Sequence, residues 1–406
     1  MRKRLAMRQR RIGLTATCLF ALAVLLSPAA LYAQSADQPP AGTYSLLYSF
    51  QCTPDGANPD AGLVRDSAGN LYGTTIYGGR QRQGTVFKVT PDGTESVLHS
   101  FVGPPSDGHY PELGSLTLDA AGNIYGTTYS GGEFYSDGTV FKVTPTGTES
   151  ILYNFCEQSG CTDGRDPIGG VVRDSAGNLY GTTQFGGASD TGALFKLTPG
   201  GAESVIHGFP SYSTDGVYPT SNLTRDSSGN LYGTTEAGGI GNSGTVFEVT
   251  ASGTESLLYS FKGYPTDGED PNGGGLLRDT AGNLYGVTEF GGPSGAGVLF
   301  KLTPGGRETV LVNFNDASAG RYPFDGLVNA AGNLYGTALQ GGSGGGVLFE
   351  LTPGGQEIVL HDFIEHSVSD GSFPPGGVIR DPSGNLYGTL YLGGAYGCGA
   401  VFKYTP

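Results

Sequence analysis

Apolar and polar positions alternate along this chain in short bursts, and the bursts come in a fixed order. Leu63-Val64-Arg65 is a brief apolar-rich run. Asn70 to Thr75 and Gly84 to Val89 carry the β-branched and aromatic residues of strands, and Glu95 to Phe101 is a fourth run of the same kind. Turn chemistry separates them. In Asp66-Ser67-Ala68-Gly69 the Asp accepts backbone N–H bonds and the Gly takes positive φ, which predicts a type I hairpin turn with a bulge. Tyr77-Gly78-Gly79 breaks the second run, and Thr90-Pro91-Asp92-Gly93 is another turn. No helical period appears. The unit is therefore expected to be four antiparallel strands, named a, b, c and d in chain order.

The unit recurs. The Gly-Asn pair that opens strand b stands at Gly69, Gly122, Gly177, Gly229, Gly282, Gly332 and Gly384, in steps of 50 to 55 residues. Four strands in about 50 residues is the size of a propeller blade, whose apolar faces are buried by its neighbours. The termini distinguish a closed ring from an open solenoid. The chain enters on Thr43 to Phe50, a d-type strand with nothing before it, and leaves on Val401 to Tyr404, a c-type strand with no d after it. The fold class predicted is all-β: a seven-bladed β-propeller of four-stranded antiparallel blades over 43–406, in which the N-terminal outer strand joins three C-terminal strands and leaves no open edge.

Cysteine placement fits that closure. Cys52 follows the first d strand and Cys398 precedes the last c strand, so a Cys52–Cys398 disulfide across the ring seam is expected, with Cys156 and Cys161 pairing inside one loop. Four free thiols are the alternative. Pairing of Cys52 with Cys156 or Cys161 would contradict the register.

The first 33 residues are of another kind. Arg2, Lys3, Arg4, Arg8, Arg10 and Arg11 precede an apolar run from Leu14 to Leu26, and Ala29-Ala30-Leu31-Tyr32-Ala33 offers small residues for cleavage. This reads as a secretory signal peptide over 1–33, with 34–42 a linker; the apolar run is short for a membrane span. Loss of those six basic residues takes the formal charge from −15 to −21. So acidic a chain disfavours nucleic acid and anionic membranes as partners. A secreted, extracellular or periplasmic protein with no membrane span in its mature part, and a monomer, is expected.

Several repeated residues read as scaffold. The Gly inside strand b (Gly73, Gly126, Gly181, Gly233, Gly286, Gly336, Gly388) calls for a large ring across the backbone, supplied by Tyr72, Phe87 and their counterparts. Asp66, Asp119, Asp174, Asp226, Asp279 and Asp381 read as turn caps, with Ala330 in the sixth unit. Arg65, Arg173, Arg225, Arg278 and Arg380 are expected to pair with acid on the next blade. His99, His207 and His361 share a d-strand slot with Tyr48, Tyr153 and Tyr259, which reads as packing; His366 lies in a long loop.

One face is not uniform. The a–b and c–d turns repeat almost unchanged, whereas the d–a and b–c loops, which share the opposite face, vary at the residues before each Pro and each Gly-Gly. If they converge they make a funnel of aromatic, acidic and basic groups, suited to sugars or cationic ligands. The candidate binding residues are His109, Tyr110, Arg165, Asp166, Tyr218, Glu236, Glu269, Asp270, Glu289, Arg321 and Tyr322. No nucleophile, zinc, EF-hand, Walker or dinucleotide motif is present. No catalytic or metal residues are named and no cofactor is expected, with calcium on the acidic face left open. A module that binds a glycan, small ligand or protein leads. A polysaccharide lyase or hydrolase using funnel carboxylates, and a structural envelope component, are the alternatives.

The unit Gly-Asn-Leu-Tyr-Gly-Thr-Thr, then Gly-Gly, then Gly-Thr-Val-Phe-Lys-Val-Thr-Pro-x-Gly-Thr-Glu-Ser resembles the Gloeo/Verruco (GloVer) tandem repeat of secreted bacterial proteins, from Thr43 to Pro406. The resemblance implies an extracellular location and carries no catalytic residues. The strand pattern is also similar to that of NHL-type propellers, by analogy of fold.

Overall fold

The computed structural model describes residues 42–133, 137–210, 215–315 and 320–406. The expected signal peptide, and all but the last residue of the expected linker, lie outside the described residues. Seven antiparallel sheets follow one another, each with strand order a-b-c-d. In blade 1 these strands are Val64–Arg65, Leu71–Thr75, Thr85–Val89 and Glu95–Ser100. Strand a is two residues long in most blades. The seventh sheet takes Ile379–Arg380, Leu386–Leu390 and Ala400–Thr405 from the end of the chain and Thr43–Ser49 from its start. Thr43 pairs with Thr405 and Ser49 with Ala400, as the closure predicts. Cys52–Cys398 crosses the seam with Cα atoms 5.4 Å apart, and Cys156–Cys161 pairs locally.

The glycine of strand b exists because a phenylalanine lies on it. A methyl group on Gly73 would sit 2.6 Å from Phe87 Cζ, and one on Gly233 would sit 2.6 Å from Phe247 Cζ. The tyrosine beside each glycine does something else, which corrects the sequence expectation. Tyr72 turns to the a–b turn, and its hydroxyl donates to Asp66 Oδ2 at 3.0 Å. Phe87 in turn meets Phe50, the residue that follows the d strand of the preceding blade, at 4.9 Å between centroids. The same pair recurs at every boundary, from Phe101–Phe141 to Phe363–Phe402. These rings form the inter-blade core, and the phenylalanines are essentially unexposed.

The turn face is as regular as its sequence. Asp66 Oδ1 accepts from the Asn70 amide N–H at 2.9 Å and Oδ2 from Asn70 Nδ2 at 2.7 Å, closing the turn with Gly69 at φ +91°. Burial pushes the Asp66 carboxyl up, but the Asn70 and Tyr72 donors outweigh it and hold the group below the usual range. Arg278 Nη2 lies 3.9 Å from Asp226 Oδ2, and its guanidinium stands over the Tyr232 ring. Arg173 likewise stands over Tyr125. The recurring arginine therefore leans on the preceding blade, not the next one.

Candidate functional site

On the opposite face the chain makes a second set of contacts that the sequence did not announce. Tyr77-Gly78, expected only to break strand b, forms a two-residue antiparallel ribbon with Gly56-Ala57 of the d–a loop. Equivalent pairing joins Gly108-His109 to Ser130-Gly131 and Gly268-Glu269 to Phe290-Gly291, and single bridges join Arg165 to Phe185 and Ser372 to Leu392. In blades 4 and 6 strand b runs on into this ribbon, and the loop becomes a fifth strand.

The ribbon fixes the residue before each proline. Asn58, Tyr110, Asp166, Tyr218, Asp270, Tyr322 and Phe373 all have φ between 55° and 61°. The Tyr110 amide donates to Gln83 O of the preceding blade at 3.0 Å, and its carbonyl accepts from the Tyr129 amide of its own blade at 3.0 Å. The amides of the other six bond in the same way, Asp166 to Asp137 O and Asp270 to Ser243 O among them. Backbone geometry is thus constant around the ring while the side chain changes. Asn and Asp tolerate this left-handed conformation; Tyr and Phe carry a steric cost there.

The candidate residues fall into groups at the blade boundaries. Tyr110 meets Tyr77 of the preceding blade at 5.6 Å and its neighbour His109 at 4.5 Å. Tyr218 meets Phe185 at 5.1 Å, and Tyr322 meets Phe290 at 5.4 Å with Arg321 over its ring. Aromatic pairs therefore stand at boundaries 1/2, 3/4 and 5/6. Between them the position before proline is Asp166 or Asp270. Arg165 bonds Asp166 at 3.1 Å and Asp190 at 3.0 Å and covers Phe185 at 4.9 Å. Burial raises Asp166 to about 6, against the pull of Arg165. Burial lowers His109, opposed by Asp107. Glu236 Oε2 accepts from Gln184 Nε2 at 3.0 Å, the Glu289 amide donates to Asp270 O at 2.9 Å, and Glu269 is half-buried beside Phe290 in its ribbon.

The segments leading into the a strands meet at the axis as backbone. Asn222 Oδ1 accepts from the amides of Ser115 at 3.0 Å and Gly170 at 2.8 Å, joining blades 2, 3 and 4. Asp325 is buried and accepts from Gly326 and Gly377. Burial raises its carboxyl in spite of those donors. A methyl on Gly62 would lie 3.3 Å from both Asp325 and Ser115, across the axis. Leu113, Ile168 and Phe324 cover this plug, with Tyr129 and Leu339 packed against them.

A further polar network, missed in the sequence, runs between blades. The Asp of the Asp-Gly pair in these d–a loops is buried, or half-buried at Asp215, and faces the d-strand slot. Tyr48 reaches Asp55 at 2.7 Å, Tyr153 Asp163 at 2.8 Å and Tyr259 Asp267 at 2.8 Å. In the histidine blades His99 Nε2 lies 3.0 Å from Asp107, His207 3.6 Å from Asp215 and His361 2.9 Å from Asp370. The Glu that opens the next d strand approaches the same Asp. Burial, with Asp55 beside it, raises Glu95 to about 8; burial beside Asp163 and Asp267 raises Glu203 and Glu308 to about 7, and burial alone does so for Glu357.

These observations define a seven-bladed β-propeller of one recurring blade, with a uniform turn face and a varied loop face. The chain belongs to the Gloeobacter/Verrucomicrobia repeat family, whose repeat matches residues 37–247 and 220–406. Among solved structures it is similar to the extracellular domain of a protein named as a hybrid two-component system of B. thetaiotaomicron, with 14% identity and a TM-score of 0.53. The match covers 91% of this chain and 42% of that one, so the chain spans less than half of its length. A second structure, named as a gluconolactonase, shares 14% identity at a TM-score of 0.46, over 90% of this chain and 93% of that one. At such identity the first likeness shows the fold alone, an NHL-like propeller by analogy. No curated protein matches the chain. Among the described residues no helix is long and apolar enough to cross a membrane.

Proposed function

We propose that this protein is an exported binding module whose loop face takes a polar, ring-bearing ligand, a glycan being the best chemical fit. The observation that carries the proposal is the constancy of backbone beside the change of side chain. Seven positions share one left-handed conformation, yet they hold Asn, Tyr, Asp, Tyr, Asp, Tyr and Phe. A purely structural role would favour Asn, Asp or Gly at all of them. Half-buried aromatic pairs at three boundaries, with carboxylates between, give sugar rings both stacking faces and hydrogen-bond partners. Two disulfides and the repeat family support an oxidising, extracellular setting.

The glycine-packed axis favours a second reading, a structural envelope component with no small ligand. One experiment separates the two. Tyr110→Asn, Tyr218→Asn and Tyr322→Asn together remove the rings and keep a residue that accepts positive φ. On a glycan array, binding by the native protein that is lost in this triple variant, at unchanged Tm, supports the loop-face site. Binding that survives the triple variant removes the site, and no binding by the native protein favours the structural reading.

A further inference from the structure

At two blade boundaries the inter-blade network contains a complete set of metal-ligating groups. We infer that His99–Asp107–Glu149 and His207–Asp215–Glu255 are two sites for a divalent transition metal, zinc fitting best, each joining two neighbouring blades. In each set one atom from every residue lies within 4.8 Å of the others. Two donors on a tetrahedral zinc with bonds of about 2.0–2.2 Å stand roughly 3.3 Å apart. The His99–Asp107 and His207–Asp215 separations, 3.0 and 3.6 Å, lie on either side of that value. Glu149 Oε1 and Glu255 Oε1 are buried with no hydrogen-bond partner among the described residues, as is the same oxygen of Glu95, Glu203, Glu308 and Glu357, and at the second site His207 Nε2 is orphaned as well. Such atoms need a donor or an ion. One imidazole nitrogen with two carboxylates suits zinc or manganese, whereas calcium prefers oxygen alone.

The ligands are held as a metal site requires. Asp107 accepts from the amides of Gly108 at 2.7 Å and Val102 at 2.9 Å, and Asp215 from Gly216 at 2.8 Å. The rings of His99 and His207 stand edge-on to Phe101 and Phe209, each at 4.8 Å. Both histidine side chains keep 17% exposure, which leaves a route for the ion and a solvent ligand.

The other boundaries act as internal controls. Tyr48, Tyr153 and Tyr259 fill the histidine slot with a phenol that donates to the Asp. At boundary 6/7 the pair His361–Asp370 is present, but Tyr44 stands where the other d strands begin with Glu, and its ring stacks on His361 at 3.8 Å. Nitrogen, aspartate and glutamate coincide only twice among the described residues.

The test uses the purified exported protein without tag histidines, stripped of metal and titrated with zinc chloride by calorimetry, with thermal unfolding alongside. Two equivalents should bind and Tm should rise by several degrees. His99→Tyr and His207→Tyr install the residue that three other boundaries already use, so folding is retained. Each should remove one equivalent, and together they should abolish binding and the Tm rise. His361→Tyr should leave two equivalents. No zinc-dependent rise in the native protein, a double variant that binds as the native protein does, loss of an equivalent in His361→Tyr, or a response to calcium alone would each overturn the assignment.

Discussion

A tyrosine with φ near +55° costs about 1 kcal/mol against glycine, so Tyr110 must recover that from its ring. It touches Tyr77 and His109, and aromatic pairs contribute roughly 0.5–1.5 kcal/mol each. The two terms nearly cancel for removal to Asn, which tolerates the conformation. Alanine keeps the strain and loses the rings. Urea unfolding should therefore find Tyr110→Ala less stable than Tyr110→Asn by about 1 kcal/mol; equal stabilities would show that the strain is absent. The turn aspartate behaves oppositely. Asp174 takes two bonds from Asn178 and one from Tyr180, and its Ala variant should cost about 2 kcal/mol by the same measurement. Blade 6 carries Ala330 at this place naturally, and there Asn333 turns to Glu350 instead.

At the scale of the strand, glycine, phenylalanine and the neighbouring phenylalanine act as one stack. Gly286→Ala would place a methyl 2.7 Å from Phe300 Cζ, a separation that real side chains avoid, so Phe300 must shift against Phe261 across the boundary. The expected loss is about 2–3 kcal/mol. Phe261→Ala should cost about 3–5 kcal/mol, since it empties a fully buried site. A Gly286→Ala change that is silent in thermal unfolding would mean that the stack is loose. The glycine was legible because it broke strand propensity seven times. Which ring lay on it was not, because Tyr72 and Phe87 flank it equally in a one-dimensional pattern, and only the pleat sends Tyr72 to Asp66. The loop ribbons were illegible for a different reason: two residues held by backbone bonds leave no alternation to read.

For the whole molecule, the unmatched strands at the two ends gave away the ring, and cysteine spacing confirmed the same register. The boundary network stayed hidden because its members come from the d strand, the following loop and the d strand of the next blade. Closing a loop of 346 residues, Cys52–Cys398 contributes on the order of 5 kcal/mol by the chain-entropy argument, so the double Ser variant should unfold at a lower temperature than a Cys156→Ser/Cys161→Ser variant. The network also sets how stability follows pH. Glu95, Glu203, Glu308 and Glu357 are raised in the fold, to about 8 for the first and about 7 for the others. A carboxyl raised above its unfolded value binds its proton more tightly in the native state, so its contribution is complete below about pH 4.5 and is lost as pH climbs through 7 to 8. The turn aspartates, exemplified by Asp66 and Asp174, are lowered, and their contribution disappears only as pH falls below the ordinary carboxylate range. The two sets leave a maximum in mildly acid solution, reinforced by relief of the net negative charge. Tm measured without metal should rise by on the order of 5 °C from pH 8 to pH 5 and fall again below pH 3.5. Glu149 and Glu255 are raised in the same way, so replacing the four glutamates by Gln should shrink the upper limb without abolishing it and leave the acid limb unchanged; an upper limb of undiminished height in that variant would place the titrating groups elsewhere.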